Sequence, residues 1–134
     1  MTTRLNEYPS VLIVDDEKDL LLLMKFKLRI EGFKAEISLN GENIIDMLHT
    51  LQPDIILMDI HMEGIDGGTL CHLLKTNHST SQIPIYMFSA NDNINLITDQ
   101  CGANGFIKKP FDIQKLKDTL WDILGNTPPL PLAV

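Results

Sequence analysis

Cysteine is nearly absent from this chain of 134 residues: Cys71 and Cys101 are the two present. They lie far apart, with no Cys-x-x-Cys or Cys/His ligand spacing, which excludes a disulfide framework and a zinc site. Both are expected to be buried, reduced thiols. Positive charge is also scarce. Eleven Lys and Arg face eighteen Asp and Glu, for a formal net charge of −7 and a pI near 4.9. Nucleic acids and anionic membranes are held by clustered Lys and Arg, so no direct contact with either is expected, and a DNA-linked role would need another domain or a partner. Long apolar runs are missing too. Leu20-Leu21-Leu22-Leu23-Met24 is far too short to span a bilayer, and residues 1–10 hold no signal-peptide core, so a cytoplasmic location is expected. What remains is ordinary globular composition, 44% apolar and 22% charged. A chain of this length makes one domain, able to bury about two-thirds of the surface it exposes when unfolded.

Short apolar runs recur at Val11 to Val14, Ile55 to Met58 and Ile85 to Phe88, with weaker ones at Ala35 to Ser38 and Gly105 to Ile107. Their hydrophobicity is unbroken rather than alternating, the habit of strands covered on both faces in a parallel sheet. Helix-length segments separate them. The run Asp19 to Ile30 is apolar over much of its circumference. Ile44, Ile45, Leu48 and Leu51 form a stripe that Pro53 stops. Leu70, Leu73 and Leu74 anchor a helix after Gly67-Gly68, and Ile113, Leu116, Leu120 and Ile123 form a last stripe. Gly32, Gly102 and Gly125 stand where helices end, and Asp112 where one is capped. Five strand–helix repeats predict an α/β fold, an open, doubly wound five-stranded parallel sheet with five helices. The segment 126–134, rich in proline, reads as a tail or the start of a linker.

In such sheets ligands sit outside the carboxyl ends of the strands, where strand order reverses. The first strand ends at Asp15-Asp16, the third at Asp59 and the fourth at Ser89, while the fifth leads to Lys108-Lys109. Each has a plainer reading alone: an aspartate pair or a serine caps a helix, one aspartate starts a turn, and one lysine is a solvated charge. Their joint arrival at one rim points to chemistry. Two carboxylates ~4 Å apart repel by roughly 4 kcal/mol at an effective dielectric of 20, so three call for a counter-charge. A hard divalent cation with oxygen ligands fits, magnesium best of all.

The stretches Val11 to Glu17 and Pro53 to Gly67, the pair Ser89-Ala90, and Gly102 to Phe111 resemble the receiver domain of bacterial two-component response regulators over about residues 9 to 125, with residues 1–8 as a lead. The resemblance implies a flavodoxin-like strand order, 2-1-3-4-5. It also implies that Asp59 accepts a phosphoryl group from the phosphohistidine of a sensor histidine kinase or phosphotransfer protein. Asp16 would ligate Mg2+ directly, Asp15 through water, and Asp59 and the backbone carbonyl of His61 would complete the set. Lys109 would pair with the acceptor and then its phosphate, and the Ser89 hydroxyl would donate to a phosphoryl oxygen. Two new charge-assisted hydrogen bonds contribute about 3–6 kcal/mol, against the roughly 5.5 kcal/mol needed to invert a 1:99 population. Phe106 would then turn inward and change the face of the fourth helix, fifth strand and fifth helix, which a downstream effector, an output domain or a second copy would read. Such a domain is a signalling module, catalysing only its own phosphorylation and dephosphorylation.

Some positions depart from the family pattern. Glu63 stands where the family often has proline, which is expected to loosen the loop after Asp59. Phe106 lacks the hydroxyl of the commoner tyrosine. The resemblance also implies a cis Lys109-Pro110 bond, and His61 and Asn91 occupy places that tune phosphoryl lifetime. Trp121 is a candidate either for homodimerisation or for packing at the edge of its helix. The rival to a phosphorylated receiver is a pseudo-receiver, an interaction module that is never phosphorylated. Intact Asp59, Asp16, Ser89 and Lys109 count against it. A strand-end phosphatase would show Asp-x-Asp rather than Asp15-Asp16, and a flavin site would need a phosphate-cradling loop where these acids stand.

Overall fold

A computed structural model describes residues 8–89, 101–109 and 112–125, with Ser89 described by its backbone. Five strands form the main sheet: β1 (Ser10–Asp15), β2 (Lys34–Leu39), β3 (Ile55–Asp59), β6 (Ile85–Ser89) and β7 (Gly105–Lys108). All pairs are parallel, in the order β2-β1-β3-β6-β7, so the expected 2-1-3-4-5 arrangement is present. Two short strands that the sequence reading missed, β4 (His61–Met62) and β5 (Ile65–Asp66), make a hairpin directly after β3. The helices described are α1 (Lys18–Ile30), α2 (Ile44–Leu51), α3 (Gly67–Thr76) and α4 (Ile113–Leu124). The further helix expected between β6 and β7, Asn91, the Lys109-Pro110 bond and the tail 126–134 lie outside the described residues.

Side chains alternate across a strand, which explains why the strand runs are apolar throughout. In β1, Val11 and Ile13 join Leu21, Met24, Leu28, Leu116 and Leu120 on one face. Leu12 and Val14 join Ile44, Leu48, Leu70 and Leu74 on the other. Helices thus cover both faces, as the unbroken patterns predict.

Two apolar side chains differ from the sequence reading. Ile45 and Leu73 are exposed, while Ile44, Leu48, Leu70, Cys71 and Leu74 are buried. Helical phase decides this: about 100° separates neighbours, so a residue beside a buried one points well off the core. Trp121 is buried against Phe33, ring centroids 4.7 Å apart, so it packs within the domain. The α1 helix is apolar beyond its buried face, leaving Leu22, Leu23, Phe26 and Ile30 exposed. Both cysteines are free and buried, as expected.

Turn chemistry follows the expected punctuation. The Asp112 side chain accepts from Gln114 N at 2.9 Å at the start of α4, and Gly32, Gly102 and Gly125 all take positive φ. In contrast, the Asp15-Asp16 pair does not cap α1. Its N-cap is Glu17, without a side-chain cap bond.

Candidate functional site

The sheet register sets the site. β1 lies between β2 and β3, so the strand order reverses there and the crevice opens between the ends of β1 and β3. Asp15 closes β1 and Asp59 closes β3. On the far side of β3, Asp59 is level with Phe88, and Ser89 is level with Lys108. The rim expected from sequence therefore forms, and one ligand oxygen from each of Asp15, Asp16 and Asp59 lies within 4.8 Å of the others.

Each carboxylate has its own surroundings. Asp15 is wholly buried and its oxygens are occupied: Oδ1 accepts from the amides of Asp16 at 2.7 Å and Glu17 at 3.1 Å, and Oδ2 from Lys109 Nζ at 3.0 Å. Asp16 is half-buried, and its Oδ2 accepts from the Glu63 amide at 3.1 Å. Asp59 is 7% exposed, with Lys109 Nζ at 3.8 Å from its Oδ2. The Lys109 ammonium also lies 4.8 Å from the centre of the Phe88 ring, which holds it over an apolar face rather than in water. Phe88 was not singled out from sequence, because a core phenylalanine carries no mark of this second contact.

Burial pushes the Asp59 carboxyl up from 3.8 to about 6; Lys109 opposes this, Asp15 and Asp16 add to it, and the Ile60 amide opposes it. One ammonium thus leaves the cluster under-neutralised. The oxygen-only donor set, its tight spacing and this excess of negative charge fit a hard divalent cation. Asp16 and Asp59 each bring a carboxylate oxygen within 4.8 Å of the other and of Asp15, and could hold it.

The loop after Asp59 is braced from below. Gly67 N donates to Ile60 O at 2.7 Å. A Cβ at Gly67 would run into the carbonyl oxygen of Asp59, so glycine lets α3 start against the backbone of Asp59 itself. The Glu63 amide ties this loop to Asp16, donating to its Oδ2. Phe106 on β7 is 43% exposed and stands outward. The part expected of the Ser89 hydroxyl lies outside the described side chains.

A five-stranded parallel sheet with acids gathered at its switch point defines a receiver-type α/β module. The chain belongs to the response regulator receiver domain family, whose model matches residues 11–120. It is 28% identical over 127 residues to the DNA-binding dual master transcriptional regulator RpaA of Synechocystis sp.; the match covers 93% of this chain and 53% of that protein, so the chain spans about half its length. A response regulator signal receiver domain from Bermanella marisrubri superposes with a TM-score of 0.77 at 28% identity, covering 86% of this chain and 97% of the other. The receiver domain of sensor histidine kinase PA1611 from Pseudomonas aeruginosa, solved with a magnesium ion coordinated in its active-site cleft, shares the fold. Its TM-score is 0.78 at 22% identity, over 89% of this chain and 99% of that one. The chain is accordingly a phospho-acceptor domain of two-component signalling.

Proposed function

We propose that Asp59 is the phosphoryl acceptor and that Asp15, Asp16 and the His61 carbonyl share with it a Mg2+ site. The observation that carries this reading is the convergence of the three carboxylates on one another and on Lys109. A carboxylate is a weak nucleophile, and phosphoryl transfer is catalysed mainly by positioning and charge stabilisation. When bound, the cation neutralises charge on the transferring group. Lys109, held by buried Asp15 and the face of Phe88, stands beside Asp59 Oδ2 ready to follow the new phosphate. Burial of Asp59 keeps water from competing and strengthens each of these charge contacts. The phosphoryl donor is a phosphohistidine on a sensor histidine kinase or phosphotransfer protein. The phosphate adds roughly −1.5 to −2 of charge, and Ser89 and Lys109 respond to it. The response reaches Phe106 and the face around β7 and α4, which an effector, an output domain or a second copy reads. The match to a longer transcriptional regulator supports an output domain as the reader, with nucleic-acid contact made by that domain rather than by this acidic one. Residues 9–125 form the domain itself, and its chemistry is limited to its own phosphorylation and autodephosphorylation.

Acetyl phosphate with Mg2+ tests this directly. Intact-mass spectra are expected to show one phosphoryl adduct, absent without Mg2+ and absent in Asp59→Asn. An unmodified parent chain, under both acetyl phosphate and a cognate kinase, would overturn the acceptor reading in favour of an unphosphorylated interaction module.

A further inference from the structure

The loop after Asp59 makes a bond that depends on residue 63 not being proline. The hairpin pairs His61 with Asp66 and Met62 with Ile65, leaving Glu63 and Gly64 as its two-residue connection. Gly64 has φ +81°, as the third residue of a type II turn requires, and the second position of that turn, here Glu63, accepts proline readily. Proline has no N–H. With Glu63 the chain keeps the turn and gains a donor, and that donor is given to Asp16 Oδ2 at 3.1 Å, across 47 positions of sequence.

We propose that the Glu63 amide is a positioning group for the divalent-cation site, fixing the rotation of the Asp16 carboxylate so that it stays directed at Asp15 and Asp59. This rests on reading those three carboxylates as the cation site. Asp16 is the member that needs such a hold. Asp15 and Asp59 are buried and ion-paired to Lys109, whereas Asp16 is half-exposed and its described side-chain partner is this amide. Left alone, it gains rotational freedom by turning to solvent, where it escapes the repulsion of two nearby acids. The amide opposes both tendencies by offering a fixed partial positive charge. Its support is firm, since Met62 is buried and the Gly67–Ile60 bond closes the loop behind it. The Glu63 side chain is exposed and plays no part in the bond.

The test compares the parent chain with Glu63→Ala, which keeps the amide, and Glu63→Pro, which removes it, by titrating Mn2+ under electron paramagnetic resonance. Glu63→Pro is expected to bind about threefold to tenfold more weakly than Glu63→Ala, the size suited to one exposed charge-assisted bond. Equal affinity in the two variants overturns the proposal. A parent chain that takes up no Mn2+ overturns it together with the cation-site reading, so the two failures are distinguishable. Amide hydrogen exchange gives a readout independent of the proline variant. The Glu63 amide is expected to exchange slowly in the metal-free parent and faster in Asp16→Ala. Equally fast exchange in both would also overturn the assignment.

Discussion

Asp59 is the residue where burial and charge conflict, and its titration makes the conflict measurable. Its folded-state pKa of about 6 lies above the ordinary 3.8. The fold therefore binds this proton more tightly than the unfolded chain does. The stability so contributed is fully present below about pH 3.8 and is lost as pH rises through about 6. The difference corresponds to on the order of 3 kcal/mol for a carboxyl this deeply buried. Asp59→Asn keeps the shape and removes the charge. In EDTA, it is expected to melt several degrees above the parent at pH 7.5 and at nearly the same temperature at pH 4. Indistinguishable melting at pH 7.5 would show that the metal-free site tolerates the anion without cost. Asp15, Asp16, Asp59 and Lys109 were all legible in the sequence, because an ionisable residue that ends an apolar strand is conspicuous and the fold sends those ends to one rim. The Glu63 amide was not legible. Every residue except proline offers the same backbone donor, and the letter E draws attention to a side chain that the bond does not use.

Among the elements, the strands were readable from their length and unbroken hydrophobicity, and the helix ends from Asp112, Gly32 and Gly125. The β4–β5 hairpin escaped because two-residue strands carry no periodicity. Its one signal was the pair Glu63-Gly64 between Met62 and Ile65, a glycine-containing turn flanked by apolar residues. Ile45 and Leu73 were misplaced because α2 and α3 are short, 8 and 10 residues, and a few apolar positions leave the phase of a stripe open by one residue. For Trp121 the sequence left packing and association open, and the α4 geometry supports packing. Lys117 pairs with Glu31 at 3.4 Å on the α1–α4 seam, and Trp121, one turn on, stacks on Phe33. Trp121→Ala is thus expected to lower stability by about 3–5 kcal/mol in urea unfolding while leaving the sedimentation coefficient of the folded protein unchanged. A change in association state with little loss of stability would place the indole in an interface instead.

At the scale of the whole molecule, a chain of net charge −7 concentrates part of its negative charge at the switch point of the sheet, where β1 and β3 hold it rigidly. The fold cannot relieve that repulsion by spreading the acids apart, since Asp15 and Asp59 belong to central strands whose side chains pack on both faces. A ligand that relieves it stabilises the entire domain, because binding to the native state alone adds RT ln(1 + [L]/Kd), about 2.7 kcal/mol at a hundredfold excess over Kd. Asp59 must give up its proton for the cation to enter, so this gain is coupled to pH. At pH 7.5 the melting temperature is expected to climb with Mg2+ concentration without a plateau near saturation, as mass action requires. At pH 5, below the value of about 6 at which Asp59 ionises, the same additions are expected to do much less. General screening of the −7 charge also stabilises an acidic protein, and NaCl at matched ionic strength supplies that comparison. If NaCl reproduced the magnesium effect at both pH values, the rim would be no more than one acidic patch among others, and the case for a cation held by Asp16 and Asp59 would fail.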